Sequence, residues 1–396
     1  MPILNSINQM QDQMTEWRQD LHKIPEIGLQ EFETSKYIKN KLSEFNIKFK
    51  DGYANTGVVA WVDGNVDGNE VTNDKTIGLR ADFDALPMPE QNEFNHKSQN
   101  KGMMHGCGHD GHTTMLLGAA KYLSENNNFN GRVYFIFQPG EEGFAGGEKM
   151  IQDGMFDDFK IDEVYALHNW PELPLGTFGV NSGPMMAAVD EFDITVKGKG
   201  GHAASPHLAI DPVVISAQVI SAVQTIISRS TDPVDKALIS ITKINAGTAY
   251  NVIDDQVKMG GTIRTFRRET RAYIEKRLNE LCKGIADAHG AEIKIEFDLV
   301  NKYPPTINSK EETKFAANVA KDLVGDEKVI TDIDPSMGGE DFSYLLEKKP
   351  GSYLYLGQGD AEHSAHLHTT KYDFNDNLLP IGVNFWVDLV QKYFSK

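Results

Sequence analysis

The chain has 396 residues, of which 40% are hydrophobic and 24% charged, and a formal net charge of −18. That length exceeds what one core usually holds, so at least two domains are expected, and the acidic balance argues against nucleic acid or an anionic membrane as the main partner. Two cysteines cannot build a disulfide framework, and residues 1–10 lack a basic segment followed by an apolar run, so a cytoplasmic protein is expected.

In chain order, apolar periodicity predicts helices over 7–22 and 31–45, then strands at Gly57–Val62 and Ile77–Ala81. The Asn/Gly/Asp-rich stretches 63–75 and 126–131 read as surface loops. A helix over 111–125 separates the second strand from apolar strands at Val133–Gln138 and Val164–His168. Alternating buried strands and helices imply a layered α/β domain with a largely parallel sheet. The pattern then changes. Phe192, Ile194 and Val196 alternate with Asp193, Thr195 and Lys197, and Ile293, Ile295, Phe297 and Leu299 alternate with Lys294, Glu296 and Asp298, as in strands with one wet face. Between them lie a helix (212–228), two strands (237–244 and 257–265) and a helix (270–288), on which Cys282 falls in the apolar stripe. The order β-α-β-β-α-β is the ferredoxin-like arrangement. Residues 187–302 are therefore expected to form an inserted domain, with 1–186 and 303–396 completing a discontinuous one. The strand Tyr353–Leu356 and helices near 311–323 and 378–394 would return to it. No window reads as a membrane-spanning helix.

The densest chemistry is His105-Gly106-Cys107-Gly108-His109-Asp110-Gly111-His112. In an extended segment, side chains two apart point the same way, so Cys107 and His109 can converge on one ion. The neighbouring candidates exceed what one ion takes from one segment, so some would support ligands rather than bind. Glu141 and Glu142 follow the strand that ends at Gln138, where strand ends of open α/β sheets border the active crevice. One carboxylate of such a pair can hold metal while the other takes a proton from the attacking water. His168 closes another apolar strand, Asp82 and Asp84 close a third, and His363, His366 and His368 follow Tyr353–Leu356. Five segments thus aim Asp, Cys/His, Glu/Glu, His and His at one edge, which points to a metal centre.

Those segments resemble the M20 metallopeptidase and amidohydrolase family in its aminoacylase-like branch, which includes hippurate hydrolases, N-acetyl-diaminopimelate deacetylases and auxin-conjugate hydrolases. The likeness rests on 79–87, on 105–112 with its Cys-Gly-His-Asp-x-His motif, on 139–143, on 167–171 and on 366–376, where Thr369-Thr370 departs from the proline that relatives often carry. It implies two divalent ions (Zn²⁺ or Mn²⁺) held by Cys107, His109, Glu142, His168 and His368. Glu141 would be the general base, with Asp84, Asp110 and His112 as supports. His202, Asn251 and Arg264, in the inserted domain, would bind substrate, and that domain would serve as lid and homodimer surface. The implied reaction is hydrolysis of the amide bond of a small N-acyl amino acid. Competing readings are a metallo-dipeptidase, a cysteine nucleophile at Cys107 and a metal-binding scaffold without activity.

Overall fold

The computed structural model describes residues 3–66, 69–70, 74–297 and 302–395. The chain divides into two compact units: Met1–Met185, Ile307–Asp334 and Asp341–Lys396 form the larger, and Met186–Thr306 with Pro335–Glu340 form the smaller. The short segment Pro335–Glu340 thus joins the inserted unit from far along the chain.

In the larger unit the elements are α1 (Gln11–Lys23), α2 (Phe32–Glu44), β1 (Lys48–Tyr53), β2 (Gly57–Asp63), β3 (Thr76–Asp82), α3 (His109–Glu125), β4 (Arg132–Gln138), β5 (Glu163–Pro174), β6 (Phe178–Gly179), α4 (Lys310–Val324), β7 (Val329–Ile330), β8 (Gly351–Gly359) and α5 (Leu379–Phe394). The helix expected over 7–22 is interrupted, since Asn5–Asn8 forms a separate turn. The eight strands lie in the order β1-β2-β4-β3-β5-β8-β6-β7. The four central strands β4, β3, β5 and β8 are parallel, whereas β1 and β2 pair antiparallel at one side. β3 is buried at every position and β8 at all but its last, which matches a sheet covered on both faces. Met115, Leu116, Ala119 and Leu123 of α3 and Val383, Phe385, Trp386 and Val390 of α5 belong to the core against that sheet.

The central strands being parallel, their carboxyl ends share one edge, and the N-terminus of α3 follows β3 there. β5 does not stop at His168 as the apolar run suggests. It continues to Pro174 because β8 keeps pairing with it, with Tyr355 opposite His168 and Gly359 opposite Pro174, after β3 has ended its own pairing at Arg80–Ala166.

The smaller unit is a four-stranded antiparallel sheet in the order Ala237–Asn245, Gln256–Thr265, Ala188–Lys197, Glu292–Phe297, with helices Pro212–Thr225 and Arg268–His289. Chain order and sheet order together are those of the ferredoxin-like fold. The last strand is described to Phe297, so the expected continuation through Asp298 and Leu299 lies outside the described residues, as does part of the expected loop 63–75. One expectation needs correction: the helical stretch Pro212–Ser230, 19 residues, is long and apolar enough by composition to cross a membrane. Ile215, Val219, Val223 and Ile226 recur on one face and are buried with Phe192, Ile194, Val257, Met259, Leu278 and Cys282, so that face serves as a core stripe within this unit.

Candidate metal centre

The site is built at the carboxyl edge of the central strands. Gly108 caps α3 in the left-handed region at φ 93°, and a Cβ there would stand 2.3 Å from Asn169 Oδ1 and 2.6 Å from Tyr372 Oη. Glycine is therefore required twice over, by backbone and by space. This sharp entry buries His109, Asp110 and His112 at the start of the helix and leaves Cys107 just before it. The C-terminal loop is pinned to the same turn, because His368 N donates to Gly106 O at 2.8 Å. His368 itself adopts φ 60°, a costly conformation for a residue with a Cβ, and such strain persists where the surroundings impose it.

The tautomers follow from the acceptors. His109 Nδ1 lies 2.9 Å from Asp84 O and 3.2 Å from Asp84 Oδ1, and His168 Nδ1 lies 2.8 Å from Asn169 O. A carbonyl oxygen only accepts, so each Nδ1 carries a proton and each Nε2 is the nitrogen left to face the other donors. His168 Nε2 is 3.5 Å from Cys107 Sγ, and His368 Nε2 is 3.3 Å from Cys107 Sγ and 3.2 Å from Glu142 Oε1. Among the groups of donor atoms that lie within 4.8 Å of one another are Cys107–His109–His168, Cys107–Glu142–His368 and His109–Glu141–Glu142. Cys107 belongs to two of them, which is more donors than one ion needs.

The residues fit a metal centre. His109 Nε2 is buried without a hydrogen-bond partner among the described residues, with Asp82 Oδ2 at 3.7 Å. Burial alone would keep this imidazole neutral, but Asp82, Asp84 and Glu142 outweigh it and raise its pKa to about 10. Burial, then the carboxylates of Glu142, Glu141 and Asp82, push the Cys107 thiol up, whereas burial and the neighbouring His112 hold His168 down. An acidic pocket that draws a proton onto His109 and keeps the Cys107 thiol from ionising is matched to a dication, which would take the proton's place on the imidazole and ionise the thiol. Thiolate, imidazole and carboxylate together suit a divalent metal ion.

Around these donors lies a buried network. Asp84 accepts from His109 through Oδ1 and from Glu142 N at 2.9 Å through Oδ2, so one carboxylate orients two candidate ligands. His112 joins Asp82 Oδ1 at 2.5 Å to Asn169 Oδ1 at 2.7 Å, and its ring lies 4.5 Å from that of His168. Arg80 donates to Asp82 at 2.7 Å, to Asp341 at 2.9 Å and to Gln138 at 2.9 Å. Asp110 faces away from the donors, toward His22 at 2.7 Å and Arg18 at 3.8 Å. Asp82, Asn169 and Arg80 are members that sequence reasoning did not select. The strand-end run Arg80-Ala81-Asp82-Phe83-Asp84, with two aspartates two apart and hence on one face, was the signal available for Asp82.

The remaining candidates lie elsewhere. His363 pairs with Asp360 at 2.9 Å and His366 with Glu172 at 2.7 Å, on an exposed loop. His105 is buried with neither ring nitrogen hydrogen-bonded among the described residues. In the smaller unit His202 and Asn251 are exposed on adjoining segments, where Ala203 N donates to Asn251 O at 3.0 Å. Arg264 lines a cleft of about 480 Å³ on the same unit, with Glu191, Asp193 and Lys243 among its walls. Its Nη1 is buried without a partner among the described residues, and burial lowers its pKa.

The model of Peptidase family M20/M25/M40 matches residues 78–392. The chain belongs to this family. As an M20 chain it is 40% identical over 395 residues to a hippurate hydrolase of Campylobacter jejuni, covering 100% of both chains. It is 37% identical over 374 residues to an N-acetylcysteine deacetylase of Bacillus subtilis, covering 94% of each. A dinuclear metal-binding M20 peptidase of Bacillus subtilis has a similar structure, with a TM-score of 0.83, 33% identity and coverage of 98% of this chain and 99% of that one. The M20 chain is a hydrolase, and its donor groups are those of a centre for divalent metal.

Proposed function

We propose that this M20 hydrolase cleaves the amide bond of small N-acyl amino acids, with two divalent ions, Zn²⁺ or Mn²⁺, held by Cys107, His109, Glu142, His168 and His368. The observation that carries the reading is the sharing of Cys107 between two donor groups, one with His109 and His168 and one with Glu142 and His368. The hippurate hydrolase and deacetylase relatives support the substrate class.

Bound ions would supply a lowered water pKa and positive charge beside the developing oxyanion. The chain's own residues do the rest. Glu141 is 7% exposed and stands beside His109 and Glu142, which suits a general base that takes a proton from the attacking water and returns it to the leaving amine nitrogen. Asp84 keeps Nε2 of His109 aimed inward. Within the smaller unit, Arg264 is the candidate for a substrate carboxylate, since a guanidinium fork with a buried unpartnered Nη1 suits two parallel hydrogen bonds. His202 and Asn251 are kept as candidate substrate contacts of that unit, and the unit itself as the candidate lid and homodimer surface.

The test is a substrate panel on the metal-loaded enzyme: N-acetyl and N-benzoyl amino acids against free dipeptides. The reading predicts turnover of the acylated compounds. Turnover confined to free dipeptides would replace it with a dipeptidase, and metal bound without any turnover would leave a metal-binding scaffold.

A further inference from the structure

Residues 22–31, from the last turn of α1 to the start of α2, are outside the donor set and outside the residues that support it directly. They nevertheless touch three of the four segments from which the centre is built in the first half of the chain. His22 Nδ1 donates to Asp110 Oδ2 at 2.7 Å, next to His109, and His22 Nε2 donates to Glu90 Oε1 at 3.2 Å. Glu26 O accepts from Ala85 N at 2.8 Å, next to Asp84, and Ile27 pairs with Ala85 as a parallel bridge. Glu31 Oε1 accepts from Gly140 N at 2.9 Å, next to Glu141, and from Leu29 N at 2.9 Å.

Glu31 is the unusual member. It is 0% exposed, and its other oxygen accepts from Thr56 Oγ1 at 2.6 Å. Burying a carboxylate is costly unless its hydrogen bonds compensate. This one accepts three, and one of them fixes the amide that leads into Glu141-Glu142. The same turn is closed on its far side, where Gly146 N donates to Gly140 O at 3.0 Å and Gly143 N to Glu141 O at 2.8 Å. The segment is itself anchored, for Glu26 accepts from Thr34 N and Thr34 Oγ1, both at 2.8 Å, at the start of α2. Leu29 sits at φ 65°, which bends the chain so that Glu31 turns back toward Gly140.

We propose that residues 22–31 form a strap that holds the loops of the metal centre in register, with Glu31 as the positioning residue for the turn that carries Glu141 and Glu142. The proposal rests on the reading of Glu141 as the general base. What Glu31 contributes is the place of an acceptor atom, not its charge. Glutamine keeps that atom, because Oε1 can accept from both N–H groups while Nε2 donates to the Thr56 hydroxyl. Aspartate keeps the charge but withdraws the acceptor by one methylene.

The experiment compares Glu31→Gln, Glu31→Asp and Thr56→Val with the wild type, as full chains, by two readouts. The first is hydrogen–deuterium exchange of the segment 138–144 without added metal. The second is kcat and KM toward an N-acyl amino acid at saturating Mn²⁺. Glu31→Gln should keep wild-type protection and a kcat within about threefold. Glu31→Asp should lose protection and lower kcat by about 10–100-fold, as loss of supporting contacts around metal ligands does, with KM little changed. Thr56→Val, which touches the same carboxylate from the far side, should lower stability and leave kcat alone. Aspartate matching the wild type, or glutamine falling as far as aspartate, would overturn the proposal. Glu141→Gln run in parallel keeps the two readings apart: if it retains turnover, the general-base assignment fails, whereas the exchange pattern still reports on the strap.

Discussion

Replacing Gly108 by alanine tests why the ligand turn needs glycine. At φ 93° an alanine pays about 1–2 kcal/mol for the left-handed backbone. Its Cβ would also stand 2.3 Å from Asn169 Oδ1 and 2.6 Å from Tyr372 Oη. Neither neighbour yields freely. Asn169 Nδ2 donates to Gln358 Oε1 at 2.9 Å and to Tyr372 Oη at 2.8 Å, while its Oδ1 lies 2.7 Å from His112 Nε2. Forcing such a packed network apart costs roughly 1–3 kcal/mol, so the whole substitution should cost about 2–5 kcal/mol. Gly102 is the control, with φ 81° and nothing within 4 Å of an added Cβ, so Gly102→Ala should pay only the backbone part, about 1–2 kcal/mol. Urea denaturation of the two metal-free variants gives the difference, and elemental analysis after dialysis gives metal content. Gly108→Ala should be the less stable by at least about 1 kcal/mol and should alone lose metal. Equal destabilisation, or full metal content in Gly108→Ala, would refute the argument that this glycine is held by Asn169 and Tyr372.

Cys107→Ser exchanges a soft thiolate for a hydroxyl and should lower metal occupancy, measured by elemental analysis; unchanged content would remove Cys107 from the ligand set. His22 gives a pH dependence. Burial disfavours its charged form, but Asp110 and Glu90 prevail and raise it from 6.5 to about 9. A raised pKa means stability that is fully present below 6.5 and lost as pH rises through about 9, on the order of 3 kcal/mol at most. Denaturation midpoints of the wild type and His22→Gln should therefore converge across that window, and a constant gap would contradict the charged pairing.

The larger part of the fold was legible because its central strands are short apolar runs between helices, and the smaller unit because Phe192, Ile194 and Val196 alternate with polar residues. The edge strand Lys48–Tyr53 was not, since it is largely exposed and carries no apolar period. Among the candidate donors, Cys107 and His109 stand out because two metal-binding residue types sit two apart in one glycine-flanked segment, whereas Glu142, His168 and His368 are picked out by the family resemblance. What held them did not stand out. Glu31 looks like an acidic residue before a helix, His22 like one more polar position on α1, and Asn169 like loop chemistry after a histidine. Each acts through a partner 57 or more positions away, His22 on Asp110, Glu31 on Gly140 and Asn169 on His112, and such pairings leave no local pattern. The same holds for the length of β5, which is set by its pairing with β8 and not by its own apolar run.

The central claim is a two-ion site whose base is Glu141. Its most direct test is the metal stoichiometry of the wild type and Glu141→Gln, measured on the same samples as turnover of an N-acyl amino acid. The account predicts two divalent ions per chain in both proteins, with turnover lower by about 10²–10⁴ only in the variant. A single ion in the wild type, or a variant that turns over at the wild-type rate, would contradict it.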